Sequence, residues 1–175
     1  SISHSKESIK IKQEIKDMTG SAKSMTNLSS TYIKKGELDK SIELLEKSLD
    51  IQKSVKNERS QHLILLEMSK VYFFQKDYSK ASDTLSPVVD YFIGINDLTY
   101  ASESLVQLSQ SYRFNNNAKK AKEILMGYQI KTNAHKYLSS IELYLSNLSL
   151  NNELDVNKLN ELLKNDESTK EIETY

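Results

Sequence analysis

The chain has 175 residues, enough for one sizeable domain, and its 24 Lys and Arg balance its 24 Asp and Glu. That balance offers no clustered positive field for nucleic acid or an anionic membrane, and no apolar run of about 18 residues exists to span a bilayer. The absence of Cys removes disulfides and thiolate metal sites and fits a reducing, cytoplasmic setting, while one Pro and four Gly permit long uninterrupted helices.

In chain order, residues 1–21 show no signal-peptide pattern. Ile11, Ile15 and Met18 form an i, i+4, i+7 stripe, and Ile9, Ile11 and Ile15 stand 40 residues before Leu49, Ile51 and Val55. The opening is therefore read as the tail of a second helix in a preceding unit, which places the start of the chain inside a longer protein. An independent capping helix is the alternative. From residue 22 one pattern returns at an interval of 40: Leu28, Met68 and Leu108; Ser29, Ser69 and Ser109; Tyr32, Tyr72 and Tyr112; Ser41, Ala81 and Ala121; Leu45, Leu85 and Leu125. A fixed period between about 20 and 50 residues marks stacked units that bury their apolar faces against neighbours. Units are expected at 22–61, 62–101 and 102–141, all within one domain.

First helices are predicted over 22–35, 61–75 and 98–114, and second helices over 38–56, 78–93 and 118–131. Within pairs, Gly36 and Asn115 to Asn117 suit the left-handed end of a helix, while Asp77 and Asn117 suit the cap of the next. Between pairs, 57–60, Asn96-Asp97 and Asn133 read as short connectors. The small residues mark helix crossings, where a larger side chain would overpack by about 1–3 kcal/mol. Pro87 falls inside a predicted helix and predicts a bend there. Residues 142–175 read as a degenerate cap with helices at 136–150 and 155–164: Leu145, Leu148 and Ser149 keep the pattern, but Asn152 and Glu161 occupy the aromatic and small positions.

These residues resemble the tetratricopeptide repeat, a helix-turn-helix unit whose pattern asks for an apolar–small pair, an aromatic, a turn Gly, a small residue and a large apolar residue. The first copy supplies Met25, Leu28-Ser29, Tyr32, Gly36, Leu38, Ser41 and Leu45; the second Leu65, Met68-Ser69, Tyr72, Tyr78, Ala81 and Leu85; the third Leu105, Leu108-Ser109, Tyr112, Ala118, Ala121 and Leu125. The interval of 40 exceeds the family's usual 34 and the Pro after the second helix is missing. The six additional residues per unit fit a variant with longer second helices, as in bacterial peptide-sensing regulators and sensor-kinase input domains. The resemblance implies an all-α, right-handed solenoid of antiparallel helix pairs: about three full repeats, a partial N-terminal helix and a degenerate C-terminal capping pair.

No catalytic or cofactor motif is present. His4, His62 and His135 are far apart and outside any two-His helix motif, and the Gly residues are isolated, so neither a metal site nor a phosphate loop is read. Asp and Glu alternate with Lys as solvated helix faces do. In the family, first helices line a concave groove, and the residue before the apolar–small pair points into it. Here these positions hold Asn27, Glu67, Gln107 and Asn147, whose polar side chains suit the backbone of an extended peptide. Phe73, Phe74 and Phe114 with Arg113 are a candidate hot spot beside that row, with Lys23, Lys34 and Lys70 as additional groove residues. A carboxylate clamp of the chaperone-binding subgroup is rejected, because Glu67, Glu103 and Gln107 stand where Asn, Lys and Arg are required. The expected function is a non-catalytic protein- or peptide-binding scaffold in a cytoplasmic regulator, a peptide-pheromone receptor being the specific version. The alternative is an oligomerisation module pairing with a second copy as a homodimer.

Overall fold

A computed structural model describes residues 2–127, 145 and 146. Its helices are α1 (Ile2–Glu14), α2 (Met18–Lys34), α3 (Leu38–Ser54), α4 (Glu58–Phe74), α5 (Tyr78–Gly94), α6 (Leu98–Phe114) and α7 (Ala118–Gly127), with no strand among the described residues. From α2 onward each helix begins 20 residues after the one before it, and first helices therefore recur every 40. The helices expected at 136–150 and 155–164, and the cap at 142–175, lie outside the described residues apart from 145 and 146.

One turn design produces this cadence. At each junction a residue takes positive φ: Lys16, Gly36, Lys56, Lys76, Asn96 and Asn116. The amide of the next residue reaches back six positions inclusively, as from Asn57 to the Gln52 carbonyl at 3.0 Å and from Asp77 to Tyr72 at 2.9 Å, while the positive-φ residue bonds the carbonyl three before it. This is the Schellman closure, which satisfies carbonyls left over at a helix end. The residue that completes it also caps the following helix. Asp17, Asn57, Asp77, Asp97 and Asn117 each accept from an amide three residues on, at 2.9 to 3.4 Å. Each such cap contributes about 1 kcal/mol. Glu37 occupies the sixth position and makes no side-chain cap bond.

These caps correct the predicted boundaries. Residues 58–60 are the first turn of α4 rather than a connector, and α2 starts at Met18 rather than residue 22. The stripe of Ile11, Ile15 and Met18 does not bury, because α1 ends at Glu14 and a turn separates these residues; all three are exposed, and Ile9 is the buried residue of α1.

Packing divides the described residues into two compact units, one ending at Val88 and the other beginning at Val89. In the first unit α1 and α3 pack on α2, and α4 packs on α3 and α2. Ile9, Met25, Leu28 and Tyr32 make one core cluster, and Leu45, Leu49, Ile64, Met68, Val71, Tyr72 and Ala81 make the other. Each buried large aliphatic side chain contributes about 1.5–3 kcal/mol. In the second unit α6 packs on α7, burying Leu105, Leu108, Ala121 and Leu125, and Phe92 stacks on Tyr100 at 5.1 Å. The small residues behave as crossings require: Ser29, Ser69 and Ser109 are buried, as are Ser41, Ala81 and Ala121. Ser29 and Ser69 return their hydroxyls to carbonyls of their own helix at 2.7 Å, and Ser109 donates across the pair to Ala121 at 3.2 Å. The recurrent Tyr has a partner that sequence reading missed. Lys40, Lys80 and Lys120 place their ammonium groups over the rings of Tyr32, Tyr72 and Tyr112, at 5.7, 4.2 and 4.4 Å from the centroids.

Candidate functional site

Residues three and seven apart on a helix share a face, because 3.6 residues complete a turn. On α4 that relation joins Glu67, Lys70 and Phe74; on α2 it joins Asn27, Ser30 and Lys34, and on α6 Gln107, Gln110 and Phe114. The apolar–small pairs beside these residues face the core, so the stripes point away from it.

In the first unit α2 and α4 are direct neighbours. The Ser30 hydroxyl lies 3.5 Å from Glu67 Oε2, linking the two helices, and Lys70 Nζ donates to Glu67 Oε1 at 2.7 Å. With side-chain exposures of 30% and 23%, the Lys70–Glu67 pair is partly withdrawn from water, which strengthens its hold over that of a fully exposed pair. Asn27 is exposed beside it, and its side-chain amide is not engaged among the described residues, since the local bond is from Thr31 Oγ1 to the Asn27 backbone carbonyl at 3.4 Å. Lys23 and Lys34 are also exposed on α2.

Phe73 and Phe74 separate. Adjacent helical residues point about 100° apart, so one ring meets the core and the other leaves it. Phe73 is half-buried against the α3–α4 core and edge-on to Tyr78 at 5.2 Å; Phe74 is 59% exposed and lies edge-on to Phe73 at 6.4 Å. The face on α2 and α4 thus offers an amide, a hydroxyl, a fixed ion pair and an open aromatic ring. It can hydrogen-bond a polypeptide backbone and seat one apolar side chain.

The second unit carries its own stripe. Gln107 is half-buried, and its Nε2 donates to Glu103 Oε1 at 3.3 Å. Arg113 lies over the Phe114 ring at 4.5 Å, and that ring remains 45% exposed. Asn147 lies outside the described residues. Sequence reading missed Ser30 and Gln110, although the i+3 spacing from Asn27 and Gln107 would have found both. Among the described residues no cluster of His, Asp and Glu could hold a metal, and no helix is long and apolar enough to cross a membrane.

Antiparallel helix pairs, capped and turned alike and containing no strand among the described residues, place the chain in the all-α solenoid class. Within that class it is a tetratricopeptide-repeat fold: residues 22–54 match the tetratricopeptide repeat model. A Pyrococcus horikoshii protein, a Signal Transduction ATPase with Numerous Domains carrying a tetratricopeptide repeat sensor, is similar in structure, with a TM-score of 0.80 and 19% identity over 93% of this chain and 26% of that one. A Podosopora anserina protein assigned as a kinesin light chain, with nearly identical TPR-like repeats, gives a TM-score of 0.75 and 18% identity over 93% of this chain and 82% of that one. No curated protein sequence matches the chain.

Proposed function

We propose that the chain is a recognition module that binds an extended segment of a partner protein on the α2–α4 face, within a regulatory protein that reads its occupancy. The observation that carries this reading is the stripe itself. Exposed Phe74 shares one helix face with the Lys70–Glu67 pair, beside the unengaged amide of Asn27. None of these side chains is required by the core. A large exposed aromatic beside organised polar groups is the usual composition of a binding hot spot. The tetratricopeptide repeats of the Pyrococcus horikoshii protein are a sensor, which supports the same use here.

The test is a selection of peptides from a display library on the whole chain, followed by calorimetry of the best binder. Phe74→Ala should weaken binding by about 2 kcal/mol and Asn27→Ala by about 0.5–1.5 kcal/mol, with Lys53→Ala on α3 unchanged. Equal affinity for all three variants would move the site off this face.

A further inference from the structure

A separate feature lies on the other side of α2. Helices α1 and α3 both pack on α2, and between them runs a cleft of about 430 Å³. Its floor is Ile9, Met25, Leu28 and Leu44, with Tyr32 at one wall; its rim carries Lys6, Lys40 and Lys47 against the single carboxylate of Glu43. Lys47 is bonded to Glu43 at 2.5 Å, and Lys40 is bonded to Glu37. Lys6 acts on the Glu37 carboxyl at longer range but makes no direct ion pair among the described residues, so it can turn to an arriving anion, with Lys47 available by exchange from Glu43.

The repeat supplies an internal comparison. One period on, the floor residues Ile9, Met25 and Leu28 are answered by Leu49, Leu65 and Met68, apolar as packing demands, while Leu44 is answered by Thr84. The rim changes in part between the two levels: Lys40 and Glu43 are answered by Lys80 and Asp83, but Lys6 by Glu46 and Lys47 by Pro87. Lys6 and Lys47 are therefore additions to the scaffold, whereas Lys40 belongs to it, stacked on Tyr32 as Lys80 is on Tyr72. The size points to a small molecule. The walls run from Lys6 to Gln13 and from Lys40 to Lys47, about two helical turns or ~10.5 Å each, and the volume falls in the range of roughly 300–1,000 Å³ for small-ligand sites. A stable protein interface needs about 800 Å² from each partner, more than so short a cleft provides.

We propose that this cleft binds a small amphipathic acid, its apolar chain lying on Ile9, Met25, Leu28 and Leu44 and its carboxylate held at the rim by Lys6 and Lys47. The site is independent of the α2–α4 face, and neither result decides the other. The probe is decanoate below its micelle-forming concentration, titrated into the whole chain by calorimetry and by methyl NMR, with decanol and decylamine alongside. Decanoate should shift the methyl signals of Met25, Leu28 and Leu44 and should bind about tenfold more tightly than decanol, as one favourable charge contact of about 1.4 kcal/mol requires. Decylamine should not bind. The double variant Lys6→Glu, Lys47→Glu should lower decanoate affinity by about tenfold or more and leave decanol unchanged. Both residues are exposed, and an unaltered thermal melt confirms that the variant folds. Absence of binding, equal affinity for decanol, or retention of affinity in the double variant overturns the proposal. Displacement of decanoate by a Leu- and Glu-rich peptide would overturn it in favour of a polypeptide occupant.

Discussion

Replacing Ser41 by Ala should stabilise the protein. Ser41 sits at the start of α3 in a crossing with no exposure, and its hydroxyl has no hydrogen-bond partner. An unpaired buried hydroxyl costs about 1–3 kcal/mol; removing it recovers that cost, and the helix preference of Ala over Ser adds a few tenths. The void left by one oxygen offsets part of the gain, so a net increase of about 1–2 kcal/mol is expected. For a chain of this length each kcal/mol moves Tm by about 2–4 °C. The sequence already holds the replacement at two equivalent positions, Ala81 and Ala121, both with no exposure. Ser29→Ala is the control, since its hydroxyl donates to the Thr26 carbonyl at 2.7 Å and its loss should be neutral or slightly destabilising. Calorimetric melts and urea titrations of both variants make the measurement. A Ser41→Ala protein no more stable than the parent would show that the hydroxyl is satisfied and that the argument from its isolation is wrong.

The turns supply three more expectations. Lys56 and Lys76 hold φ of 54° and 63°, a region that costs side chains other than Gly about 1 kcal/mol, and Lys76→Gly should raise stability by about 0.5–1 kcal/mol in urea unfolding. Gly36→Ala should lower it by about 1 kcal/mol, for backbone reasons alone, because a Cβ at that φ of 74° meets no atom within 4 Å. Asn57→Ala should cost about 1 kcal/mol by removing the bond to the Ser60 amide at 3.1 Å. Glu37→Gln tests a pH effect: the hydrogen bond from Lys40 is the largest influence holding the Glu37 carboxyl below its ordinary value. Its contribution is therefore complete above the usual Glu range and is lost as pH falls through the lowered value. The variant should lose that part of the acid dependence of Tm, and an unchanged acid profile would refute the coupling.

The recurrence of Leu28, Ser29, Tyr32, Ser41 and Leu45 made the helix pairs legible, because packing at a crossing restricts both size and spacing. The turns were half legible. Gly36 and Asn116 announce a left-handed residue, but Lys16, Lys56 and Lys76 adopt the same conformation with no chemical preference for it, held by the bonds on either side. Asn57 looked like a connector because Asn serves both loops and caps; only its bond to Ser60 separates the two uses. At the candidate site, the sequence placed an aromatic pair at residues 73 and 74 but could not tell which ring faces out. That depends on the register of α4, whose start had been set three residues late. The cleft beside α1 left no local signal, since its rim gathers Lys6, Lys40 and Lys47 from two helices separated by α2.

The six junctions share one backbone closure and five of them share one side-chain cap, and this makes them interchangeable. Excising residues 18–57 would bring Asp17 against Glu58, placing one capping residue where another stood, so that both the backward bond and the forward cap could re-form. A cut of half that length would also preserve every turn, yet it would hand a second helix the neighbours of a first and misplace its small crossing residue. The joints set a unit of exchange of one helix, whereas the faces set a unit of two. Duplication and loss are therefore tolerated by this architecture in whole pairs, and the cost of an odd number appears in the core rather than in the turns.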